Sequence, residues 1–250
     1  MLKSKRVGGK RLKCIAVTSG KGGSGKSCVA AYTGAALAKS GNRTLLLELG
    51  GTFMALDLIV GMKEQAVFDS TDVFAGRCDA QKAIVPTAIQ RNLHLLPAGL
   101  NPVADATDAD LQALLETLGK NYDFIIVDGV DFSVFSPKFA DMVLQVLTPD
   151  SLCVRACAQQ AVELNQAGVK QLRLVINNVP PQVLPMYGAK DFDDVIDLVG
   201  VQLIAVIPAS PKLQYSSNNA QALDEESITV KVFDNLAGRL LGKRLPLLIR

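Results

Sequence analysis

The sequence predicts an α/β fold in which a mostly parallel central sheet is flanked by helices on both faces. Short apolar runs typical of buried strands alternate along the chain with segments of helical periodicity, as in doubly wound proteins. The composition is 49% hydrophobic and only 20% charged, which suits strands that are covered on both faces. A glycine-rich turn joins the first predicted strand to the first predicted helix, and this is the most informative stretch of the chain.

The elements follow each other without a break that would separate two domains. Strands are predicted at 12–18, 44–49, 92–99, 122–128, 142–147, 172–177 and 201–207. Helices are predicted at 26–39, 66–85 (in two pieces around Gly76), 107–120, 158–167, 191–199 and 227–241. We therefore expect one nucleotide-binding domain over residues 12–241, a basic N-terminal tail over 1–11 and a short basic and apolar tail over 242–250.

The turn after the first strand has the spacing G-x-x-x-x-G-K-S, which predicts a phosphate-binding P-loop and hence a three-layer P-loop fold. Its members are Gly20, Lys21, Gly22, Gly23, Ser24, Gly25, Lys26 and Ser27. Glycines allow successive N–H groups to point at one anion, and the following helix adds its own free N–H groups. Lys26 is expected to reach the β- and γ-phosphates of ATP, and Ser27 to ligate Mg²⁺. The alternative is a glycine-rich turn without a ligand.

A second part of the site is predicted at Asp128, which ends the apolar strand 122–128. Ligands of parallel α/β sheets bind at the carboxyl ends of the strands, so Asp128 should lie close to the P-loop. A carboxylate there holds Mg²⁺ directly or through water. The alternative is an ordinary aspartate in the turn after a strand.

The form K-G-G-x-G-K-S, with Lys21 in front, resembles the deviant Walker A motif of the MinD/ParA family of ATPases. Further tracts similar to the family, and to its MinD members most of all, are 45–61, 67–78, 92–99 and 206–219. The resemblance implies ATP and ADP as ligands and a homodimer in which Lys21 reaches the partner's phosphates. It also implies adenine contacts near Asn177 and Pro208, although both are equally compatible with ordinary strand ends.

The sequence departs from the family's pattern where hydrolysis is performed. The family's D-x-D after the second strand is Glu48-Leu49-Gly50 here, and a glycine cannot orient a water molecule. Cys28 replaces the family's threonine at the α-phosphate, and Gly129-Val130-Asp131-Phe132 replaces its x-P-A-G switch. We expect nucleotide binding with slow turnover, in which Lys21, Lys26 and Glu48 are the candidate catalytic residues. Loss of a water-orienting group can cost on the order of 10²-fold in rate.

The resemblance suggests a role in placing the division site or in related positioning, with a protein partner that the sequence does not identify. A non-hydrolysing interaction module and a ParA-like DNA-partitioning ATPase are the alternatives. Net charge is +2, yet residues 1–13 and 239–250 hold ten cations and no carboxylate. These ends suit an anionic membrane or nucleic acid, the latter being the less favoured partner, or they are solvated tails. The short C-terminal tail either binds a membrane or packs on the body. Scattered cysteines, with Cys153 and Cys157 placed after a strand, and the lack of a signal or spanning segment indicate a cytoplasmic protein.

Overall fold

The computed structural model describes residues 13–50, 54–62, 65–99, 106–180 and 191–248. Its strands are β1 (Lys13–Thr18), β2 (Thr44–Glu48), β3 (Val85–Pro86), β4 (Leu93–Leu96), β5 (Phe124–Asp128), β6 (Met142–Leu147), β7 (Leu172–Val179) and β8 (Leu203–Pro208). Its helices are α1 (Lys26–Lys39), α2 (Leu56–Val60), α3 (Ser70–Phe74), α4 (Ala80–Ala83), α5 (Asp108–Leu118), α6 (Ser151–Gln166), α7 (Phe192–Val199), α8 (Pro211–Asn218) and α9 (Ile228–Leu240).

The described strands form one eight-stranded sheet in the order β3-β4-β2-β5-β1-β6-β7-β8. All neighbours are parallel except β3, which runs antiparallel to β4 at the edge. Strand β1 is central, between β5 and β6, and the register of β2 on β5 places Glu48 beside Asp128. The predicted α/β class with a mostly parallel sheet is confirmed. The P-loop and both carboxylates therefore lie at the same, carboxyl edge of the sheet.

Helix α1 packs on the middle of the sheet, and its sequence explains how closely it does so. Nine of its fourteen residues are buried, because α9 covers the side that faces away from the strands. Gly34 lies against the sheet, where an added Cβ would come within 2.9 Å of a Leu46 methyl group. Burying a large apolar side chain stabilises the fold by roughly 1.5–3 kcal/mol. This helix, whose first turn belongs to the P-loop, is therefore rigidly placed.

Three apolar clusters fill the layers on the two faces of the sheet. The first lies between the sheet and helices α1 and α9, and includes Leu37 and Phe233. The second lies under α6 and α7, and the third lies under α5. Helix α5 begins with a capping box, in which Thr107 and Asp110 exchange side-chain and backbone hydrogen bonds.

The prediction for the helix after β6 is wrong at its start. The predicted span 158–167 becomes Ser151–Gln166, because Asp150 caps the helix by accepting a hydrogen bond from the Cys153 N–H at 3.0 Å. Cys153 and Cys157 consequently lie inside α6, not after a strand, and both are buried. Helix α2 and the edge strand β3 are absent from the sequence prediction because they are too short for a clear period. Helix α8 is absent because it buries only Leu213 and Ser216 and so has no apolar stripe.

The described part of the C-terminal tail, residues 242–248, is not helical and folds back on the body. Asn235 donates a side-chain hydrogen bond to the Pro246 carbonyl at 3.0 Å, and Arg239 donates to the Leu245 carbonyl at 2.9 Å. Leu247 and Leu248 pack against the clusters on opposite faces of the sheet. This is the packed arrangement that the sequence left open beside membrane binding. Among the described residues, no helix is long and apolar enough to cross a membrane. The N-terminal tail, 1–11, lies outside the described residues.

Candidate functional site

The P-loop connects Thr18, at the end of β1, to Lys26, at the start of α1, and close contacts fix its backbone. Gly25 precedes the helix with φ of 87°, and an added Cβ would lie 2.3 Å from the Asn177 side-chain nitrogen. An added Cβ at Gly20 would lie 2.4 Å from the backbone of Ala156 in α6. Both glycines are thus required by the shape of the loop.

Asn177, which is predicted to lie near the adenine, forms a hydrogen bond to the P-loop in this structure. Its side-chain N–H donates to the Ser24 carbonyl of the P-loop at 2.9 Å, and the residue is buried in β7. Pro208 ends β8 and is the register partner of Val179 in β7, so both predicted adenine-side residues lie on neighbouring strands. The amide of Asn177 therefore stabilises the loop that would hold the phosphates.

Ser27 and Asp128 are brought together as the sequence predicts. The Ser27 hydroxyl donates to the Asp128 carboxylate, and the Lys26 ammonium lies close enough to favour the ionised form. Burial nevertheless raises the pKa of Asp128, because the residue is only 2% exposed. Its Oδ1 has no hydrogen-bond partner among the described residues. A buried carboxylate oxygen without a partner, beside a hydroxyl, fits the oxygen ligands that Mg²⁺ prefers.

A cavity of about 610 Å³ opens beside the loop, and Lys26 is one of the residues that line it. The end of β1, the segment 129–133 after Asp128, and Gln160 and Glu163 of α6 also line it. Gln160 is fixed by donating to the Thr18 hydroxyl at 3.0 Å and by accepting from Gln145 at 3.0 Å. Sequence reasoning missed Gln145 and Gln160, because only the topology brings β6 and α6 against the loop.

Lys21 points across the mouth of the loop to α6. Its Nζ lies 3.2 Å from Oδ1 of Asp150, which also accepts from the Thr148 hydroxyl at 2.6 Å through its other oxygen. Burial opposes ionisation of Asp150, but the Thr148 hydroxyl, the Cys153 N–H and Lys21 together lower its pKa. The pair is partly exposed, so Lys21 can exchange this partner for another anion at small cost.

Glu48, the candidate water-side carboxylate, is buried and its oxygens accept hydrogen bonds from the backbone. Oε1 accepts from the N–H groups of Ala55 and Leu56 at 2.9 and 3.2 Å, and Oε2 accepts from Ala98 at 3.4 Å. Burial raises the pKa of Glu48, and the neighbouring charge of Asp128 adds to that effect, while the three N–H donors oppose it. The carboxylate therefore organises the start of α2 and the end of β4.

Gly50 and Gly129, which follow the two carboxylates, contact each other directly. Their φ angles are 105° and 72°, and an added Cβ at Gly129 would lie 2.0 Å from the Gly50 carbonyl oxygen. An added Cβ at Gly50 would meet nothing within 4 Å. The segments after β2 and β5 thus touch backbone to backbone, and Gly50 stands at the place of the second aspartate of the family's D-x-D motif.

Cys28 turns away from solvent and pairs with α8. Its sulfur lies 3.4 Å from the Ser217 hydroxyl, and burial raises its pKa. A thiol in this state is neutral and a weak hydrogen-bond donor. The predicted α-phosphate role of Cys28 therefore depends on backbone N–H groups more than on its side chain.

Comparison with known proteins agrees with this geometry. Residues 15–223 match the family described as the CobQ/CobB/MinD/ParA nucleotide binding domain. The septum site-determining protein MinD of Synechocystis sp. is 33% identical and is matched over 94% of this chain and 92% of its own length. Among solved structures, the MinC:MinD cell division protein complex of Aquifex aeolicus aligns with a TM-score of 0.82 at 28% identity, covering 95% and 99% of the two chains.

A second solved structure, MinD of Pyrococcus horikoshii complexed with Mg-ADP, shares the fold with a TM-score of 0.78 at 24% identity, covering 92% of this chain and 96% of that one. The predicted family is therefore confirmed over most of the sequence, from the first strand to the last sheet strand and beyond. The chain belongs to the MinD/ParA family of P-loop nucleotide-binding ATPases.

Proposed function

We propose that this protein binds ATP with Mg²⁺ at the P-loop and acts, as a nucleotide-dependent homodimer, in placing the cell-division site, as its MinD relatives are named for. The single observation that supports nucleotide binding best is the partnerless Oδ1 of buried Asp128 beside Ser27 and Lys26. It is the arrangement expected of a site that becomes complete only with a metal and phosphates.

Different residues would hold the phosphates, the metal and the adenine of the nucleotide. Backbone N–H groups of Gly20–Ser27 and the N-terminus of α1 bind the phosphates, and Lys26 neutralises their charge. Ser27 and Asp128 would hold Mg²⁺, which would neutralise phosphate charge when bound. Asn177 keeps the loop in shape through Ser24, and the segment near Pro208 borders the adenine.

The homodimer follows from Lys21. Its partner Asp150 is half-exposed, and an ATP phosphate carries more charge than one carboxylate. Across a face-to-face dimer, Lys21 would leave Asp150 for the phosphates of the other subunit. This links dimerisation to the bound nucleotide. A protein partner of the kind captured with MinD of Aquifex aeolicus, MinC, is compatible with this role.

We further propose that hydrolysis is slow. Gly50 has no side chain to orient water, and the oxygens of Glu48 already accept three backbone hydrogen bonds. The family's second carboxylate is therefore not replaced by the first. A weakened ATPase would persist longer in the dimeric state.

Steady-state ATPase rates of the wild type, Gly50→Asp and Gly50→Ala test this proposal. Both substitutions place a side chain at a φ of 105°, and neither meets a neighbour at Cβ. A Gly50→Asn variant, which has nearly the shape of Gly50→Asp without its charge, completes the set and isolates the carboxylate. We expect Gly50→Asp to exceed Gly50→Ala by on the order of tenfold or more.

A wild-type rate equal to that of the Synechocystis relative, with no gain in Gly50→Asp, would contradict slow hydrolysis. No turnover in any variant, with ATP-dependent dimers intact, would instead support the non-hydrolysing interaction module. Salt-sensitive binding of duplex DNA by the wild type would support the ParA-like alternative.

A further inference from the structure

A second cavity lies at the edge of the sheet opposite the P-loop. It opens where β1, β6, β7 and β8 begin, and its volume is about 450 Å³. Because parallel strands all run from this edge to the other, the cavity is separated from the nucleotide site by the length of the strands. Nothing in the chemistry of the P-loop accounts for it.

Positive charge dominates the lining of this cavity. Of the lining residues that the structure describes, five carry charge, and all five are basic. They are Lys13, Arg173, Arg239, Lys243 and Arg244. Among the described residues, none of these five side chains forms a salt bridge with an acid. Gln171 and Gln202 add uncharged side-chain amides to the rim. Such a concentration of like charge is unfavourable unless an anion is bound.

Several of the cations are held in place by backbone carbonyls. Lys13 Nζ donates to the Leu240 carbonyl at 2.5 Å, Arg239 to the Leu245 carbonyl at 2.9 Å, and Arg173 to the Leu172 carbonyl at 2.8 Å. A carbonyl leaves the charge of the cation unneutralised. A lysine has three donors and an arginine five, so most of the donors stay free for a ligand.

The C-terminal tail forms one side of the cavity. Residues 242–248 cross the amino edge of the sheet, and the apolar anchors Leu247 and Leu248 fix the segment on opposite faces. Lys243 and Arg244, which precede these anchors in the tail, line the cavity. The basic tail, for which the sequence analysis allows membrane binding or packing on the body, thus forms one wall of the pocket.

We propose that this pocket binds a phosphate-bearing anion of at least two negative charges. Three of the five cations are arginines, whose planar fork matches phosphate oxygens in pairs. The volume accommodates a diphosphate or a phosphate ester with a small organic group. The same chemistry is offered by a free phosphate compound and by the headgroup of an anionic lipid. The site stands apart from the proposed function, since it shares no residue with the nucleotide site.

Calorimetric titration of pyrophosphate into the full chain tests the proposal. ADP and Mg²⁺ are kept at equal saturating concentrations in both solutions, so that the P-loop is occupied. The test variant is Arg173→Gln with Lys243→Gln, and the matched control is Lys120→Gln with Lys231→Gln, which removes two exposed charges elsewhere. We expect the test variant to bind about tenfold more weakly and the control to bind like the wild type.

A second arm measures co-sedimentation of the same proteins with phosphatidylcholine vesicles that contain phosphatidylglycerol. Binding to pyrophosphate identifies a free phosphate compound as sufficient, and binding to the vesicles alone identifies the headgroup. In both cases the test variant must lose binding and the control must not. The proposal is overturned if the wild type binds neither probe, or if both variants lose affinity equally while their melting temperatures are unchanged.

Discussion

The P-loop and the two segments that face it differ in how many tertiary contacts fix their backbones. The loop is held by contacts from β7 and α6, and its glycines leave no room for another residue at Gly20 and Gly25. The facing segments meet through Gly129 and Gly50, and Gly50 stands at the place of the second aspartate of the family motif. In the proposed function, phosphate binding depends on the backbone geometry of the loop. Hydrolysis depends on a few side chains, which can change without disturbing that geometry.

The strongest test of this comparison breaks the loop at Gly25. In Gly25→Ala the new methyl group must displace the Asn177 amide and so break its hydrogen bond to Ser24, in addition to the strain of φ at 87°. We expect the free energy of unfolding to fall by roughly 2–4 kcal/mol, and ATP affinity to fall with it. Urea unfolding and nucleotide titration measure the two effects.

Gly41 offers a matched control, because its φ is 85° and an added Cβ meets nothing within 4 Å. Gly41→Ala should cost only the strain, about 1 kcal/mol. In an Asn177→Ala background, Gly25→Ala should also approach that smaller value. Equal losses at Gly25 and Gly41 in the wild-type background would show that the Asn177 contact does not hold the loop.

The next test concerns the facing side, at Glu48. Glu48→Gln keeps one acceptor oxygen but turns an N–H group toward a backbone N–H donor. We therefore expect the free energy of unfolding to fall by about 1–2 kcal/mol near neutral pH. The pKa of Glu48 is raised by burial, so the native state takes up a proton before the unfolded chain does. As pH falls from the raised value toward the ordinary 4.5, the wild type is stabilised relative to the variant.

The stability gap between wild type and Glu48→Gln should therefore widen on acidification and stay constant below the ordinary glutamate value. Asp128, which faces Glu48 from β5, also titrates, and its charge acts on Glu48, so the same comparison is repeated in an Asp128→Asn background. Denaturant unfolding at a series of pH values measures the gap. A gap that narrows with falling pH would mean that hydrogen bonds to the carboxylate outweigh its burial.

How much of this architecture the sequence predicts depends on how local each signal is. The strands, the P-loop and the pairing of Ser27 with Asp128 follow from short apolar runs, the glycine spacing and the rule that parallel strands converge at one edge. The predicted start of α6 is seven residues too late, because the sequence analysis does not recognise Asp150, directly after the preceding strand, as the N-cap.

The remaining features of the site arise from contacts between distant parts of the chain. The hydrogen bond from Asn177 to the loop, the hydrogen bond from Ala98 to Glu48 and the contact of Gly129 with Gly50 join residues that lie 50 to 153 positions apart. No periodicity or motif encodes such distances. The basic cavity is of the same kind, since it needs the tail to cross the strand edge.

The smallest expected effect on stability, at Lys21, separates folding from assembly. Lys21 and Asp150 are 45% and 34% exposed at their side chains, and such pairs contribute less than about 1 kcal/mol. Lys21→Ala should therefore leave the unfolding midpoint nearly unchanged. If Lys21 acts across a dimer, the same variant should remain monomeric with a non-hydrolysable ATP analogue, as measured by light scattering after gel filtration.

Lys39 provides the matched control for Lys21. It is also a partly exposed lysine in ion pairs, with Glu225 and Asp234, but it lies at the far end of α1 from the loop. Lys39→Ala should lower stability by a similarly small amount and still dimerise with the analogue. If both variants dimerise, Lys21 is not required at the interface. If both stay monomeric, the loss of dimerisation is due to a general change in charge. Only the split result ties the deviant lysine to the partner subunit's nucleotide.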